Sequence, residues 1–332
     1  MKSVLIAVAL TLSLAASAAA KPVDVTVMTR NMYLGTDLIP IALADPGDPF
    51  EQAVAKGYQD AQSTDFPARA KAVAQEIART KPDVVGFQEL TTWRTGPKND
   101  PAAAGKVAFE HLSPMLAELK RLHQSYKVVK GGGGIDLEGP SSLGFDVRIS
   151  EDESLMLVRK GIKVVDRTAK RFTNQLQVPT KAKGLVTAVR SWNCLDLIKN
   201  GKPFRVVDTH LEAYSTDIRL KQAKELLAGP LRSKNPVILI GDLNSGPTLP
   251  KAEDRPPYEA LVKGGFSPRR TPKNSCCSDD LRTPTFDHNV DWVMAKPKRV
   301  KLVRSSLTGL KPLPEGILPS DHGGVVSTLS LP

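Results

Sequence analysis

Apolar and polar positions change places along this chain in short runs whose period switches several times. Asp24 to Thr29 is a β-branched stretch that ends at Arg30-Asn31 and predicts a strand, and the polar residues after it read as loop. Beyond Pro67, Ala70, Val73, Ala74 and Ile77 fall at i, i+3, i+4 and i+7, one face of a helix that Lys81-Pro82-Asp83 stops. Val84-Val85-Gly86-Phe87 then predicts a buried strand delivering Gln88 and Glu89 at its carboxyl end. Leu112, Met115, Leu116 and Leu119 repeat the helical spacing over 112–122, and 217–227 reads as a further helix. Strands are expected at 126–130, 155–159, 185–192, 204–209, 237–240, 290–294, 300–303 and 324–329. Strands outnumber helices but helices intervene, so the class is mixed α and β with two sheets. Gly131 to Gly134 lacks a following G-x-x-x-x-G-K-[ST] and opens no helix, so it reads as a flexible connection rather than a phosphate cradle.

The first twenty residues stand apart from this pattern. Lys2, an apolar run from Val4 to Ala16 and Ala18-Ala19-Ala20 form a secretory leader with an A-x-A cleavage pattern, so a secreted or periplasmic protein is expected. The run is shorter than the roughly 20 residues of a spanning helix, and no later segment is long enough without charges. Composition, at 41% hydrophobic and 24% charged, is that of an ordinary globular protein, and 21–332 is long enough for one large domain or two small ones. The net charge of +11 falls to +10 without Lys2, which favours nucleic acid, anionic lipid, polyphosphate or an anionic envelope as partners. The same excess would also be explained by simple solvation. Aromatics, at 5%, argue against a base-stacking surface. Cys194, Cys276 and Cys277 are too few for a disulfide scaffold or a four-ligand zinc site; export permits one bridge, and the pair is left open.

The informative feature is that polar clusters sit at the ends of predicted strands. Asn31 follows the first, and Glu89 ends an apolar one, where a carboxylate can meet a hard cation and water together, or else simply fill a turn. In Asp208-Thr209-His210-Leu211 the side chains of Asp208 and His210 share a face, an arrangement suited to general-acid or phosphate-binding work. A satisfied surface histidine is the plainer alternative. Gly241-Asp242-Leu243-Asn244-Ser245 combines a carboxylate able to take a proton from water with an amide able to orient a phosphoryl group, although an Asx turn would use the same residues. Asp291, and Ser320-Asp321-His322-Gly323-Gly324 before the last strand, complete the set. A serine-hydrolase triad is disfavoured because no G-x-S-x-G elbow occurs, and zinc chemistry because none of the five histidines stands in H-E-x-x-H.

In order, Asn31, Gln88-Glu89, Thr209-His210-Leu211, Gly241-Asp242-Leu243-Asn244, Asp291 and Ser320-Asp321-His322 resemble the motif series of the endonuclease/exonuclease/phosphatase superfamily, over roughly residues 24 to 331. Phe145-Asp146-Val147-Arg148 and the Cys276-Cys277 neighbourhood resemble its exported bacterial members. The resemblance implies an α+β fold, a four-layer α/β/β/α sandwich of two packed mixed β-sheets forming a single domain over 21–332, and a monomer. It implies Mg²⁺, with Mn²⁺ or Ca²⁺ as alternatives, on Glu89, Asn31 and Asp321. Asp242 corresponds to the residue that orients or deprotonates water, Asn244 to a phosphate-binding amide and His210 to a phosphate or leaving-group partner. Asp291 corresponds to a supporting carboxylate and His322 to the histidine on the scissile phosphate. Two departures stand out: Asp208 adds a negative charge near the expected cleft, and 287–291 lacks the Arg-Ile-Asp form of many relatives. The implied activity is water attack on an anionic phosphodiester, nucleic acid first. A phospholipase C or sphingomyelinase would need an apolar hairpin that the sequence does not display, and an inositol-phosphate phosphatase a basic signature. A binding module that has lost catalysis would usually have lost the carboxylates too.

Overall fold

A computed structural model describes residues 22–278 and 280–332; the leader expected over 1–20 lies outside them. Two six-stranded sheets dominate. The first has the spatial order Lys301–Thr308, Gly324–Leu331, Val23–Asn31, Val84–Gln88, Met156–Arg159, Tyr126–Val129; the second Ser267–Pro268, Asp291–Lys296, Val237–Asp242, Lys202–His210, Ser191–Lys199, Lys163–Arg171. Each sheet has one parallel pair at its centre, Val23–Asn31 with Val84–Gln88 and Lys202–His210 with Val237–Asp242, while the other pairings are antiparallel. Parallel neighbours need a crossover. Helices Asp48–Ser63 and Phe66–Thr80 supply it in the first sheet and Thr216–Ala228 in the second.

The sheets pack face to face through Val25, Val27 and Val84 on one side and Phe204, Val206, Ile238, Ile240 and Val293 on the other. The outer face of the first sheet carries Met28, Val85 and Phe87 beneath Ala70, Val73, Ile77, Met115 and Leu119. That of the second carries Val207, Leu239 and Met294 beneath Ala223, Leu226 and Leu261. The result is the expected four-layer sandwich. Its central strands are covered on both faces, which is why Val84–Gln88 and Val237–Asp242 appear in the sequence as unbroken apolar runs.

A polar contact crosses the middle layer at its centre. Gly86 faces Asp208 so closely that a Cβ there would lie 2.3 Å from Asp208 Oδ1, and Gln88 Nε2 donates to the same oxygen at 2.8 Å. Asp208 is wholly buried, and burial, with Glu153 adding to it, holds its carboxyl well above the carboxylate range. Asp208, expected as an extra charge near the cleft, belongs instead to the core, where burial favours the uncharged form of its carboxyl.

Beyond the sandwich lie a four-stranded sheet, ordered Lys106–Glu110, Thr91–Pro97, Phe145–Glu151, Asp136–Pro140, and a hairpin of Leu176–Thr180 and Gly184–Ala188. The strand expected over 185–192 is thus two, one in the hairpin and one in the second sheet, parted at Val189-Arg190. The stretch read as loop before Pro67 contains the helix Asp48–Ser63, whose buried Phe50, Val54, Tyr58 and Ala61 pack on the extra sheet. Among the described residues no helix is long and apolar enough to cross a membrane.

Gly86→Ala should destabilise the protein by about 1–3 kcal/mol, the usual cost of overpacking a filled core, seen as a lower midpoint in denaturant unfolding. An unchanged midpoint would mean that the sheets do not approach as closely as described.

Candidate active site

The carboxyl ends of the four central strands meet at one edge of the sandwich. Asn31 Nδ2, at the end of the first strand, donates to Glu89 Oε1 at 3.0 Å and to Asp242 Oδ2 at 3.2 Å, so one amide ties a carboxylate of its own sheet to one of the facing sheet. Its Oδ1 accepts from Tyr33 N–H at 2.9 Å. Glu89 Oε2 accepts from Leu34 N–H at 2.9 Å, and Asp242 Oδ1 from Asn244 N–H at 2.8 Å. Glu89 and Asn244 leave their strands at φ of +55° and +46°, conformations that cost about 1–3 kcal/mol for residues other than glycine. Gly241, at φ +143°, has no room for a side chain because a Cβ would lie 2.0 Å from Thr209 O. The strand that carries Asp242 can therefore run against its neighbour.

Two imidazoles flank Asp242: His210 Nε2 lies 3.6 Å and His322 Nε2 3.9 Å from its Oδ2. His322 is held from behind, its Nδ1 3.0 Å from Asp291 Oδ2, and Ser275 Oγ donates to that same oxygen at 2.7 Å. Burial works against protonation of His322, but Asp291, Asp321 and Asp242 outweigh it and hold the imidazole well above its ordinary value. Burial likewise opposes ionisation of Asp291, and His322 with Ser275 keeps the carboxyl below its usual range. The two form an ion pair. His210 Nδ1 lies 2.8 Å from both Glu153 Oε1 and Arg190 Nη1. A nitrogen that donates to the carboxylate cannot accept from the guanidinium, so the contacts are alternatives. Burial and Arg190 oppose protonation of His210, Glu153 and Asp242 favour it, and the balance lies above the ordinary value.

The donor set suits a hard divalent cation. Burial pushes the Asp321 carboxyl up to about 6, with Glu89 adding to the shift and His322 opposing it, as happens when carboxylates crowd together with too little positive charge between them. Glu89 and Asp321 line the same opening, and their oxygen ligands fit Mg²⁺, Mn²⁺ or Ca²⁺ better than a soft metal. Ligand atoms of Asp242, Asp291 and His322 also lie within 4.8 Å of one another. Asp291 is already committed to His322 and Ser275, so that trio is better described as a hydrogen-bonded chain than as a cage. Asn31 presents nitrogen rather than oxygen to the carboxylates, and acts on them as a clamp.

Of the eight residues expected from the sequence, Asn31, Glu89, His210, Asp242, Asp291 and His322 form one connected set. Asp321 joins it through charge. Asn244 is adjacent, but its Nδ2 donates to Leu211 O at 2.9 Å. The sequence reading passed over Glu153, Arg190 and Ser275. Glu151-Asp152-Glu153, three successive acidic residues, was the available signal for the first. The Gly131–Gly134 run is no flexible tether either: a Cβ at Gly131 would lie 1.9 Å from Glu153 O, so the run packs behind the Glu153 segment. A disulfide joins Cys276 to Cys277, leaving Cys194 free and buried. Its sulfurs lie 3.5 and 3.6 Å from His322 Nε2.

No curated protein matches the chain. Solved structures do match along nearly its whole length. An endonuclease/exonuclease/phosphatase from Bacteroides vulgatus is 17% identical with a TM-score of 0.55, covering 93% of this chain and 100% of the other. A mannosyl-6-phosphatase from Bacteroides thetaiotaomicron VPI-5482 is 16% identical, TM-score 0.56, covering 92% and 99%. TDP2 of D. rerio, complexed with a single-strand DNA product, is 17% identical, TM-score 0.52, covering 92% and 98%. At these identities the likeness is one of fold. The family described as Endonuclease/Exonuclease/phosphatase matches residues 43–322, and with the sandwich and its edge site in agreement, the chain belongs to that family.

Proposed function

We propose that this protein is a divalent-metal-dependent phosphoester hydrolase in which water attacks phosphorus in line with the leaving oxygen. The observation that carries this is the Asn31 amide, which holds Glu89 and Asp242 together between His210 and His322. Glu89 and Asp321 would hold the cation; when bound, it lends positive charge to the phosphoryl oxygens. Asp242 orients the attacking water and accepts its proton as the new O–P bond forms and the P–O bond to the leaving group breaks. His322, kept protonated by Asp291, donates through Nε2 to a phosphoryl oxygen, while His210, backed by Glu153, donates to the phosphate or the leaving oxygen. Asn244 stands beside Asp242 to take part in phosphate binding. Nucleic acid, the substrate expected first, retains the support of the net charge of +11. The ground beside Glu89 and Asp321 is apolar rather than basic, which favours as a second reading a phosphoester carrying a hydrocarbon group. Export remains part of the proposal on the strength of the leader-like residues 1–20.

Turnover of a chromogenic phosphodiester should vanish with a chelator and return with Mg²⁺. Asp242→Asn should lower kcat by about 10²–10⁴-fold with the circular dichroism spectrum unchanged, and turnover at the parent rate in this variant would sink the assignment.

The raised His322 value stabilises the fold fully below the free-histidine value of about 6.5 and loses that contribution as pH rises through the folded value. The depressed Asp291 value does the reverse, contributing above about 3.9 and fading as pH falls through its folded value. In urea unfolding from pH 3 to 10, the stability gap between the parent protein and Asp291→Asn should therefore be widest between about pH 4 and 6.5 and narrow towards both ends. A gap independent of pH would rule out the ion pair.

A further inference from the structure

The edge site opens on one side into a cavity of about 560 Å³. Glu89, Asp321, Tyr214 and Arg190 stand at its near end, and beyond them the walls are mostly hydrocarbon, with Asp37, Asp136, Glu138 and Lys183 among them. Its floor is the face of the extra four-stranded sheet that bears Trp93, Ile135, Leu137, Val147 and Ile149. Its roof is the hairpin, through the cross-strand partners Val178 and Val186, and the short helix Ile39–Leu43, through Ile39 and Ile41. Hairpin and helix are joined: Lys181 N–H donates to Ala42 O at 3.3 Å and Lys181 Nζ pairs with Asp45 at 2.9 Å. At the rim, Leu43 of the short helix, Leu185 of the hairpin and Tyr214 are 58%, 70% and 66% exposed.

A site of this volume encloses a drug-sized group, and its apolar walls cannot compensate the desolvation of a phosphate or a sugar hydroxyl. A nucleic-acid backbone requires a run of cations along this path; Arg190 and Lys183 line it, but Arg190 lies 4.0 Å from Glu153, and the carboxylates Asp37, Asp136, Glu138 and Glu151 line the same walls. Continuity with Glu89 and Asp321 means that whatever fills the cavity is covalently joined to the group that reaches the cation.

We propose that the cavity is the subsite for a hydrocarbon substituent of the substrate, so that the preferred phosphoester carries an alkyl chain on the phosphate, as in a lipid phosphodiester, and the chain lies between hairpin and extra sheet. The inference rests on the phosphoesterase reading for its chemistry but not for its binding. Two measurements separate them. With Mg²⁺ present, kcat/KM should rise along a series of alkyl p-nitrophenyl phosphodiesters from methyl to octyl, by about fourfold per methylene at most, the equivalent of about 0.8 kcal/mol. Val186→Trp should flatten that rise; if the variant does not fold, the series on the unmodified protein decides. By calorimetry, octyl phosphonate should bind far more tightly than methyl phosphonate whether or not any ester is hydrolysed. Tail-length-dependent binding without turnover would keep the subsite and overturn the hydrolase. Turnover and binding indifferent to chain length would overturn the subsite and keep the hydrolase. Cleavage of plasmid DNA in preference to every alkyl ester would also overturn it.

Discussion

Everything at the edge of this sandwich depends on one buried amide. Asn31 ends a strand of the first sheet and donates from a single nitrogen to Glu89 of that sheet and Asp242 of the other. Two carboxylates drawn out of water repel each other unless donors or cations lie between them. The amide is one such donor, and the Asn244 N–H and the imidazoles of His210 and His322 are others within 4 Å of Asp242. This arrangement exists only because two parallel strand pairs, one in each sheet, run in register to the same edge. Loss of the packing between the sheets would separate the charges before it unfolded either layer.

The support around these groups is unevenly distributed. Behind His322 lie Asp291 and Ser275, behind His210 lies Glu153, and the buried Arg30, paired with Glu76 at 3.2 Å, donates to the His322 carbonyl. Arg69, wholly buried, donates to Met32, Tyr33 and Pro319 carbonyls and so fixes the two loops that carry Tyr33 and Asp321. A cation at Glu89 and Asp321 would therefore enter a setting whose neighbours are already immobilised, which is what preorganised electrostatic stabilisation demands. The apolar cavity on the far side of these residues works by a different principle, burial of surface, and can vary without disturbing the charged edge.

What the sequence made legible follows from this division. Strands covered on both faces leave continuous β-branched runs, so 84–87 and 237–240 could be read, and with them the polar residues at their ends. Ala70, Val73, Ala74 and Ile77 announced their helix because they line a broad apolar stripe. Phe50, Val54, Tyr58 and Ala61 fall at the same three- and four-residue spacing, a helical signal that the polar residues around them obscured. Half-exposed strands such as Gly184–Ala188 carry little periodic signal, and the walls of the cavity are drawn from just such elements. Asp208 shows the opposite limit: its residue type suggested charge in the cleft, and only its position opposite Gly86 places it in the core, where burial favours the uncharged carboxyl.

The central claim, that the carboxylates of Glu89 and Asp321 hold one cation beside the edge where the two sheets meet, is tested most directly by anomalous diffraction from crystals soaked in Mn²⁺. The account predicts a single strong peak between the carboxylates of Glu89 and Asp321, with oxygen ligands at about 2.1–2.3 Å. A peak seated instead between Asp291 and His322, or none at saturating Mn²⁺, would contradict it.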